Sequence, residues 1–312
     1  MPCNDDPAMW FRSLSLFPLT SALPFGLDEL EAALGNQPFR PCGSLELMSS
    51  GFEPVLGPKA QSFVHAAEDV WTVRWVSEEK RLPGGYVRDQ LADQVLAYEA
   101  REGHAPGSRE KKEMKEGIEH ALLPRLIPRR RRMFASIDAA RGWVIVDGAA
   151  SKQAEALVGA IRQRTGSLPV SPWRTQDDWG SAMTQWLASR ELPEGFELDQ
   201  TCVLTSQEED GGSATLRKHD LTVDEVKVHL AAGKKVTRLG LVWRDRMSFV
   251  LDAAGVLRNL KPTDVLLEPL EQADDDDAMA RMDQTLALQD MTLRALVEDL
   301  NKALGGLAQR IA

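Results

Sequence analysis

The stretch Met133–Val146, MFASIDAARGWVIV, decides the fold class. Two apolar runs, Met133–Ile137 and Trp143–Val146, flank the short segment Asp138-Ala139-Ala140-Arg141-Gly142. Apolar runs around a short glycine-containing loop are the signal of a β-hairpin. Directly after it, Ser151–Arg164 carries Ala154, Leu157, Val158 and Ile161 on one helical face. Gly166 stands where a left-handed cap closes such a helix, and Pro169 and Pro172 follow. A hairpin followed by an amphipathic helix specifies an antiparallel sheet with helices packed on one face, an α+β layer.

The same patterns extend in both directions. Trp10–Phe17 (WFRSLSLF) reads as a first strand, and Leu27, Leu30 and Leu34 as a helix stopped at Gly35-Asn36. Val70–Val76 (VWTVRWV) is a further strand. Pro83-Gly84-Gly85 breaks the chain before two helices, Tyr86–Arg101 and about Ser108–Leu123, separated by Gly103–Gly107. They read as a helical hairpin projecting as a tip. Beyond Pro169–Trp173 come a helix at Asp177–Ser189 and strands at Cys202–Thr205 and Ala214–Lys218, around the turn Asp210-Gly211-Gly212. Thr222 and Glu225 have capping-box spacing ahead of a helix that ends at Gly233. Strands at Leu239–Trp243, Met247–Leu251 and Val256–Leu260 precede a terminal helix bearing Met282, Leu286, Leu293, Val297, Leu300 and Leu304. The expected organisation is a central α+β domain at 1–82 with 124–170, a helical tip at 83–123, and a second α+β domain at 171–312 with a C-terminal helix.

Composition limits the functional classes. The 312 residues are 43% hydrophobic and 27% charged, with formal net charge −10. This is ordinary globular composition and excludes a disordered chain, a collagen-like fibre and a disulfide scaffold. No run approaches the ~20 apolar residues of a membrane span. Asp5 and Asp6 stand where an export signal wants positive charge, so the cytoplasm is the expected compartment. Cys3, Cys42 and Cys202 are odd in number and far apart, and the five histidines show no metal-ligand spacing. Neither metal nor cofactor is expected.

Charge is segregated along the chain. Arg109–Arg132 holds nine basic and four acidic residues, and Arg217–Arg246 eight basic and four acidic. Asp264–Asp299 holds eleven acidic and two basic residues, nearly the whole net charge. Local basic surface binds a polyanion through counterion release whatever the global charge. The densest feature is Pro128-Arg129-Arg130-Arg131-Arg132, either a phosphate-contacting segment or a solvated loop that meets a partner's charge. Gly233-Lys234-Lys235 falls at a helix end, where lysine also complements the helix dipole. No P-loop, GxGxxG, GxSxG, kinase, helix-turn-helix or RNP pattern is present. Contact with nucleic acid would therefore rely on backbone charge and shape rather than on bases. The run Asp274–Asp277 lacks the glycine and terminal glutamate of a calcium loop and reads as a solvated acidic linker. A magnesium-dependent nuclease built on it is the least favoured alternative.

Several stretches, in order over nearly the whole chain, resemble the RdgC family of recombination-associated proteins. They include Phe39-Arg40-Pro41-Cys42-Gly43-Ser44, Leu122-Leu123-Pro124-Arg125, Ile145-Val146-Asp147 and Gly166-Ser167-Leu168-Pro169-Val170. Further on come Glu209-Asp210-Gly211-Gly212, Lys218-His219-Asp220-Leu221-Thr222, Ala232-Gly233-Lys234-Lys235-Val236-Thr237 and Ala303-Leu304-Gly305-Gly306. The resemblance implies a non-catalytic, nucleoid-associated protein that binds double-stranded DNA with little sequence preference. It implies a ring-shaped homodimer encircling the duplex and limiting RecA-promoted strand exchange. Single-stranded DNA would be the weaker ligand. It also implies a finger after Arg125 whose tip packs into the partner. The tip position here is Ile127 rather than an aromatic residue, and His219 replaces a neutral polar residue beside Lys218, which makes that charge pH-dependent.

The expected DNA contacts are Arg125, Arg129, Arg130, Arg131, Arg132, Arg217, Lys218, His219, Lys234 and Lys235. The expected dimer contacts are Ile127 and, on the terminal helix, Leu293, Val297 and Leu300, unless that helix is an ordinary core helix. The rival from another class is a regulator that touches the recombinase directly through the acidic C-terminal region.

Overall fold

A computed structural model describes residues 10–206, 208, 211–271 and 278–308. The acidic run Asp274–Asp277, Glu209 and Asp210 of the expected turn, and the extension before Trp10 lie outside the described residues. The elements are, in order, β1 (Ser13–Pro18), α1 (Leu27–Gly35), β2 (Met48–Glu53), β3 (Val64–Ala67), β4 (Val70–Glu79), α2 (Gly84–Glu102) and α3 (Ser108–Leu122). A 3-10 turn at Leu123–Arg125 leads to β5 (Arg129–Asp138), β6 (Trp143–Asp147), α4 (Ser151–Thr165) and α5 (Trp179–Ser189). The remainder is β7 (Phe196–Thr205), β8 (Ser213–Arg217), α6 (Asp224–Ala231), β9 (Lys235–Trp243), β10 (Met247–Asp252), β11 (Val256–Pro262), α7 (Asp264–Glu271) and α8 (Ala278–Ala303).

The strands form one antiparallel sheet in the order β2-β4-β5-β6-β1-β11-β10-β9-β7-β8, with β3 also paired to β4. The α+β class with an antiparallel sheet is therefore as the sequence indicates. Strand β1 joins the two halves. It pairs with β6 from Leu14↔Asp147 to Pro18↔Trp143 and with β11 at Ser13↔Arg258 to Ser15↔Val256. The Asp147 carboxylate fixes the start of this join by accepting from the backbone N–H groups of Arg12 at 2.9 Å and Ser13 at 3.1 Å. Burial nevertheless outweighs those bonds and holds the Asp147 pKa above the ordinary carboxylate value. The segment around residue 170 is part of the core as well. Trp173 packs edge-on against Trp143 at 5.5 Å and Trp179 at 4.5 Å between ring centroids.

Strand alternation sorts the side chains onto two faces. Met133, Ala135 and Ile137 of β5, with Val144 and Val146 of β6, pack under α1 and α4. Phe134 of β5, with Trp143 and Ile145 of β6, faces the opposite core, which α5 and α8 cover. Helix α4 buries Ala154, Leu157, Val158 and Ile161, the stripe read from sequence, and closes on Gly166 at φ +77°. Helices α2 and α3 pack on one another and bury little else, chiefly Val87 and Ile118.

Helix α8 spans both halves of the sheet. Its stripe of Leu286, Leu293, Leu296, Val297 and Leu300 is buried in the core of this chain. The reading of Leu293, Val297 and Leu300 as contacts to a second copy is thereby corrected: the sheet of their own chain already covers them, each contributing about 2 kcal/mol of burial. The polar residues of α8 hold it in place. Gln289 accepts from the Phe11 backbone N–H at 2.7 Å, and Arg294 donates to Asp138 at 2.7 Å. Near the other end, Asp299 accepts from the Trp243 indole at 2.8 Å and pairs with Arg244 at 2.6 Å. Another correction concerns α6, whose cap is Val223; Thr222 instead bonds back to Asp220, at 2.7 Å, so the capping box does not form.

Asp290 is the most deeply placed carboxylate of α8. It accepts from Ser136 at 2.7 Å and Thr72 at 3.1 Å. Burial raises its pKa to about 6, against the pull of those hydroxyls, His65 and Arg294. A carboxyl whose folded pKa is raised binds more protons folded than unfolded, so stability falls as pH rises from the ordinary Asp value to about 6. Thermal unfolding between those limits is expected to show this slope, worth up to roughly 3 kcal/mol, and Asp290→Asn is expected to flatten it. An unchanged slope in the variant would contradict the assignment.

Candidate nucleic-acid interface

The arginine run is not a loop. Arg129–Arg132 are the first four residues of β5, and β4 supplies their cross-strand partners Glu79, Glu78, Ser77 and Val76 in turn. Opposite charges directly across a ladder stabilise it, so Glu78 and Glu79 let four consecutive arginines enter a strand. Alternation then divides the run. Arg130 and Arg132 point to the α8 side of the sheet, Arg129 and Arg131 to the α4 side.

The two sides differ in electrostatics. Arg130 contacts the buried Glu78 carboxylate at 2.8 Å and lies over the Phe39 ring at 5.0 Å. Arg132 stands 3.8 Å from Glu53, which also pairs with Arg74 at 3.2 Å. Burial pushes the Glu78 pKa up, but the Cys42 backbone N–H and Arg130 outweigh it, and the net effect is a lowered pKa. On the α4 side, no side-chain bond or ion pair engages Arg129 or Arg131 among the described residues. They line a groove of about 140 Å³ with Trp75, Glu79, Lys152 and Gln153. Arg125 is exposed at the end of the 3-10 turn, and Ile127 is 90% exposed just ahead of β5.

The second-half residues fall into two places. Arg217 ends β8 opposite Thr201, and Lys218 follows, exposed, with φ +52°. His219 comes next, 3.4 Å from Glu225. Lys234 and Lys235 lie at the start of β9, where Lys235 pairs opposite Thr205. By strand direction, Arg217 and Lys218 lie toward the same end of the strands as Arg129, and Lys234 and Lys235 lie at the other end. Seven strand steps separate β5 from β8, a path of about 34 Å across the sheet. The sequence-derived residues therefore make separated basic clusters rather than one patch.

Lys152 was not legible as a site residue, because only the crossing of α4 over β5 brings it beside Arg131. Glu78, directly across the ladder, was the signal for Arg130 alone, whereas the Glu53 that meets Arg132 comes from β2 and is brought there only by the sheet. Of the acidic stretch Asp264–Asp299, Asp290 is buried, Asp283 meets His65 at 2.7 Å, Asp299 meets Arg244 at 2.6 Å, and Glu298 pairs with Arg141. Among the described residues no group of three or more His, Cys, Asp or Glu is placed to hold a metal ion, and no helix is long and apolar enough to cross a membrane.

Sequence comparison defines the class of protein. A family model described as "Putative exonuclease, RdgC" matches residues 9–307. The protein named "Recombination-associated protein RdgC" of Laribacter hongkongensis (strain HLHK9) is 43% identical over 298 residues, covering 96% of this chain and 99% of its own. The protein of the same name from Pseudomonas paraeruginosa (strain DSM 24068 / PA7) is 38% identical over 299 residues, covering 96% and 98%. That of Pseudomonas syringae pv. syringae (strain B728a) is 36% identical with the same coverage. The chain belongs to the RdgC family, whose members are associated with recombination.

The Glu78–Arg130 pair has a measurable consequence. Glu78→Gln is expected to lower stability by about 1–2 kcal/mol at pH 7, a value discounted because Arg130 is partly exposed. A lowered folded pKa gives stability that is present above the ordinary carboxylate pKa and lost as pH falls through the folded value. The gap between wild type and variant should therefore close under acid in paired thermal melts. A gap that persists in acid would show that the pair is not its source.

Proposed function

We propose that this chain is a non-catalytic protein that binds double-stranded DNA through its phosphate backbone, independently of sequence, in recombination or replication. The observation that carries this reading is the pair of exposed basic clusters at the Arg129 end of β5 and the Arg217-Lys218 end of β8, on two separated strands of one sheet. Such contacts position a duplex without reading bases. The family description names an exonuclease, whereas the relatives are named only as recombination-associated. On this proposal the chain carries no catalytic step.

The working form is proposed to be a homodimer ring that encloses the duplex and limits RecA-promoted strand exchange by occupying DNA. Ile127, 90% exposed, and the packed pair α2 and α3, forming a tip, are its proposed inter-subunit elements. Ile127 is proposed on the family resemblance, which places the tip of a finger at this position after Leu122-Leu123-Pro124-Arg125. On this reading the protein is associated with the nucleoid. Lys234 and Lys235, at the opposite strand ends, are secondary contacts.

Fluorescence anisotropy of two unrelated labelled duplexes and one single strand, across a salt series, tests the binding. Equal affinity for both duplexes, a weaker single strand and a steep loss with salt are expected. Absence of binding at low salt would overturn the reading and leave direct contact with the recombinase, recognised by inhibition that persists in excess DNA. Sedimentation of Ile127→Asp tests the assembly: wild type should sediment as a dimer and the variant should dissociate at least about tenfold more readily, the effect of about 1.4 kcal/mol. A variant as dimeric as wild type would remove Ile127 from the interface.

A further inference from the structure

We propose that the groove between the Arg129 end of β5 and the first turn of α4 is a phosphodiester site. Arg129, Arg131 and Lys152 are its cations, and the neighbouring Arg130 and Arg132 act as structural ion pairs on the opposite face of the strand. The proposal rests on the duplex-binding reading above and goes beyond it by deciding which face of β5 meets nucleic acid and by adding Lys152.

Four observations converge on the groove. First, its three cations lack ion partners among the described residues, whereas Arg130 and Arg132 face Glu78 and Glu53. Two residues that differ only in parity thus differ in whether their charge is available. Second, α4 has no acidic residue in its first turn and carries Lys152 there. The positive end of a helix dipole disfavours a lysine by a few tenths of a kcal/mol to about 1 kcal/mol. An outside anion would offset both charges. Third, the Trp75 ring lines the groove and gives it one rigid wall beside the cations. Fourth, the groove is small, about 140 Å³, which suits a single phosphate group. Arginine presents a planar fork to phosphate and lysine a compact charge, so the set combines oriented and unoriented donors.

The groove also contains an acid. Glu79 sits on its rim, opposite Arg129 in the ladder and 3.9 Å from Arg81. Glu79 therefore opposes an incoming phosphate, and its neutralisation should tighten binding. This gives the site an effect of opposite sign to the loss of its cations.

The test uses the full chain, a labelled duplex of about two helical turns, and salt from about 50 to about 200 mM. Lys152→Glu is the decisive variant, because an acid in the first turn of α4 favours the helix, so loss of folding does not explain loss of binding. It is expected to retain the wild-type melting temperature or exceed it, and to weaken duplex binding at least about tenfold at low salt. Arg129→Ala with Arg131→Ala should weaken binding similarly and lower the salt slope by about 1.8, two contacts at ~0.9 each. Glu79→Gln should tighten binding. Arg130→Ala with Arg132→Ala should lower the melting temperature and change affinity less than about threefold, since ion-paired side chains contribute little to counterion release.

Wild-type affinity in Lys152→Glu and in the Arg129/Arg131 double variant, while wild type binds duplex, would overturn the site and leave duplex binding intact. Greater loss in the Arg130/Arg132 variant would assign the opposite face and overturn it too. Calorimetric titration with inorganic phosphate separates the two sources of the anion. Phosphate binding that Lys152→Glu abolishes, with duplex affinity unchanged, would make the groove a free-phosphate site and reject the duplex backbone as its ligand. A wild type that binds no duplex at low salt would refute the proposed function itself.

Discussion

Strand β5 can sit in its sheet in only one parity, and that choice determines the electrostatics of its arginine-rich end. Ser136 must face α8 to reach Asp290 at 2.7 Å, and Asp138 must face it to accept from Arg294. Met133, Ala135 and Ile137 then face α1 and α4. A slip of one residue would place the hydroxyl and carboxylate in the apolar core and the apolar side chains against the polar residues of α8. The same parity carries outward beyond the core to the arginines. It sends Arg130 and Arg132 toward Glu78 and Glu53 and leaves Arg129 and Arg131 over the groove beside Lys152. A buried polar network on one face of the sheet thereby fixes which charges remain free on the other.

Helix α8 transmits this constraint across the molecule. Its aliphatic stripe packs under the second half of the sheet, and its polar residues reach β3, β4 and β5 of the first. A purely apolar seam would bind tightly but tolerate sliding, whereas Gln289, Asp290 and Arg294 each have a particular partner. Buried hydrogen-bonded groups of this kind contribute modest net stability and a large penalty for misplacement. The raised pKa of Asp290 reflects the cost of that specificity. Together with β1, which pairs to both β6 and β11, α8 makes the basic clusters at β5 and β8 parts of one body.

Most elements were legible where periodicity was strong. The β5–β6 hairpin, α4 with its glycine cap, and the run of strands from Leu239 to Leu260 follow from local pattern alone. Strand β2 (MSSGFE) was not, because its serines and glycine mask any alternation; Gly51 is there because a side chain would meet the Phe39 backbone. Strand β3 is only four residues long, and α7 carries an internal proline. The end of β5 was missed because four arginines in a row have no place in a strand until the glutamates of β4 stand opposite them. Leu293, Val297 and Leu300 had the spacing of any amphipathic helix, and sequence alone does not say whether the covering surface belongs to the same chain. The site was half visible: Arg129–Arg132 declare themselves by composition, whereas Lys152 and Trp75 join them only through tertiary packing.

On the proposed function, a duplex lies against the α4 side of β5. Hydrogen–deuterium exchange of the full chain with and without duplex DNA tests it directly, because it reports where the ligand protects the backbone without altering any residue. Protection concentrated at Arg125–Arg131 and the first turn of α4, together with the Arg217–Lys218 corner, is the expected result. Bound duplex with unchanged exchange in those segments, or with protection confined to Lys234–Lys235 and α6, would contradict it.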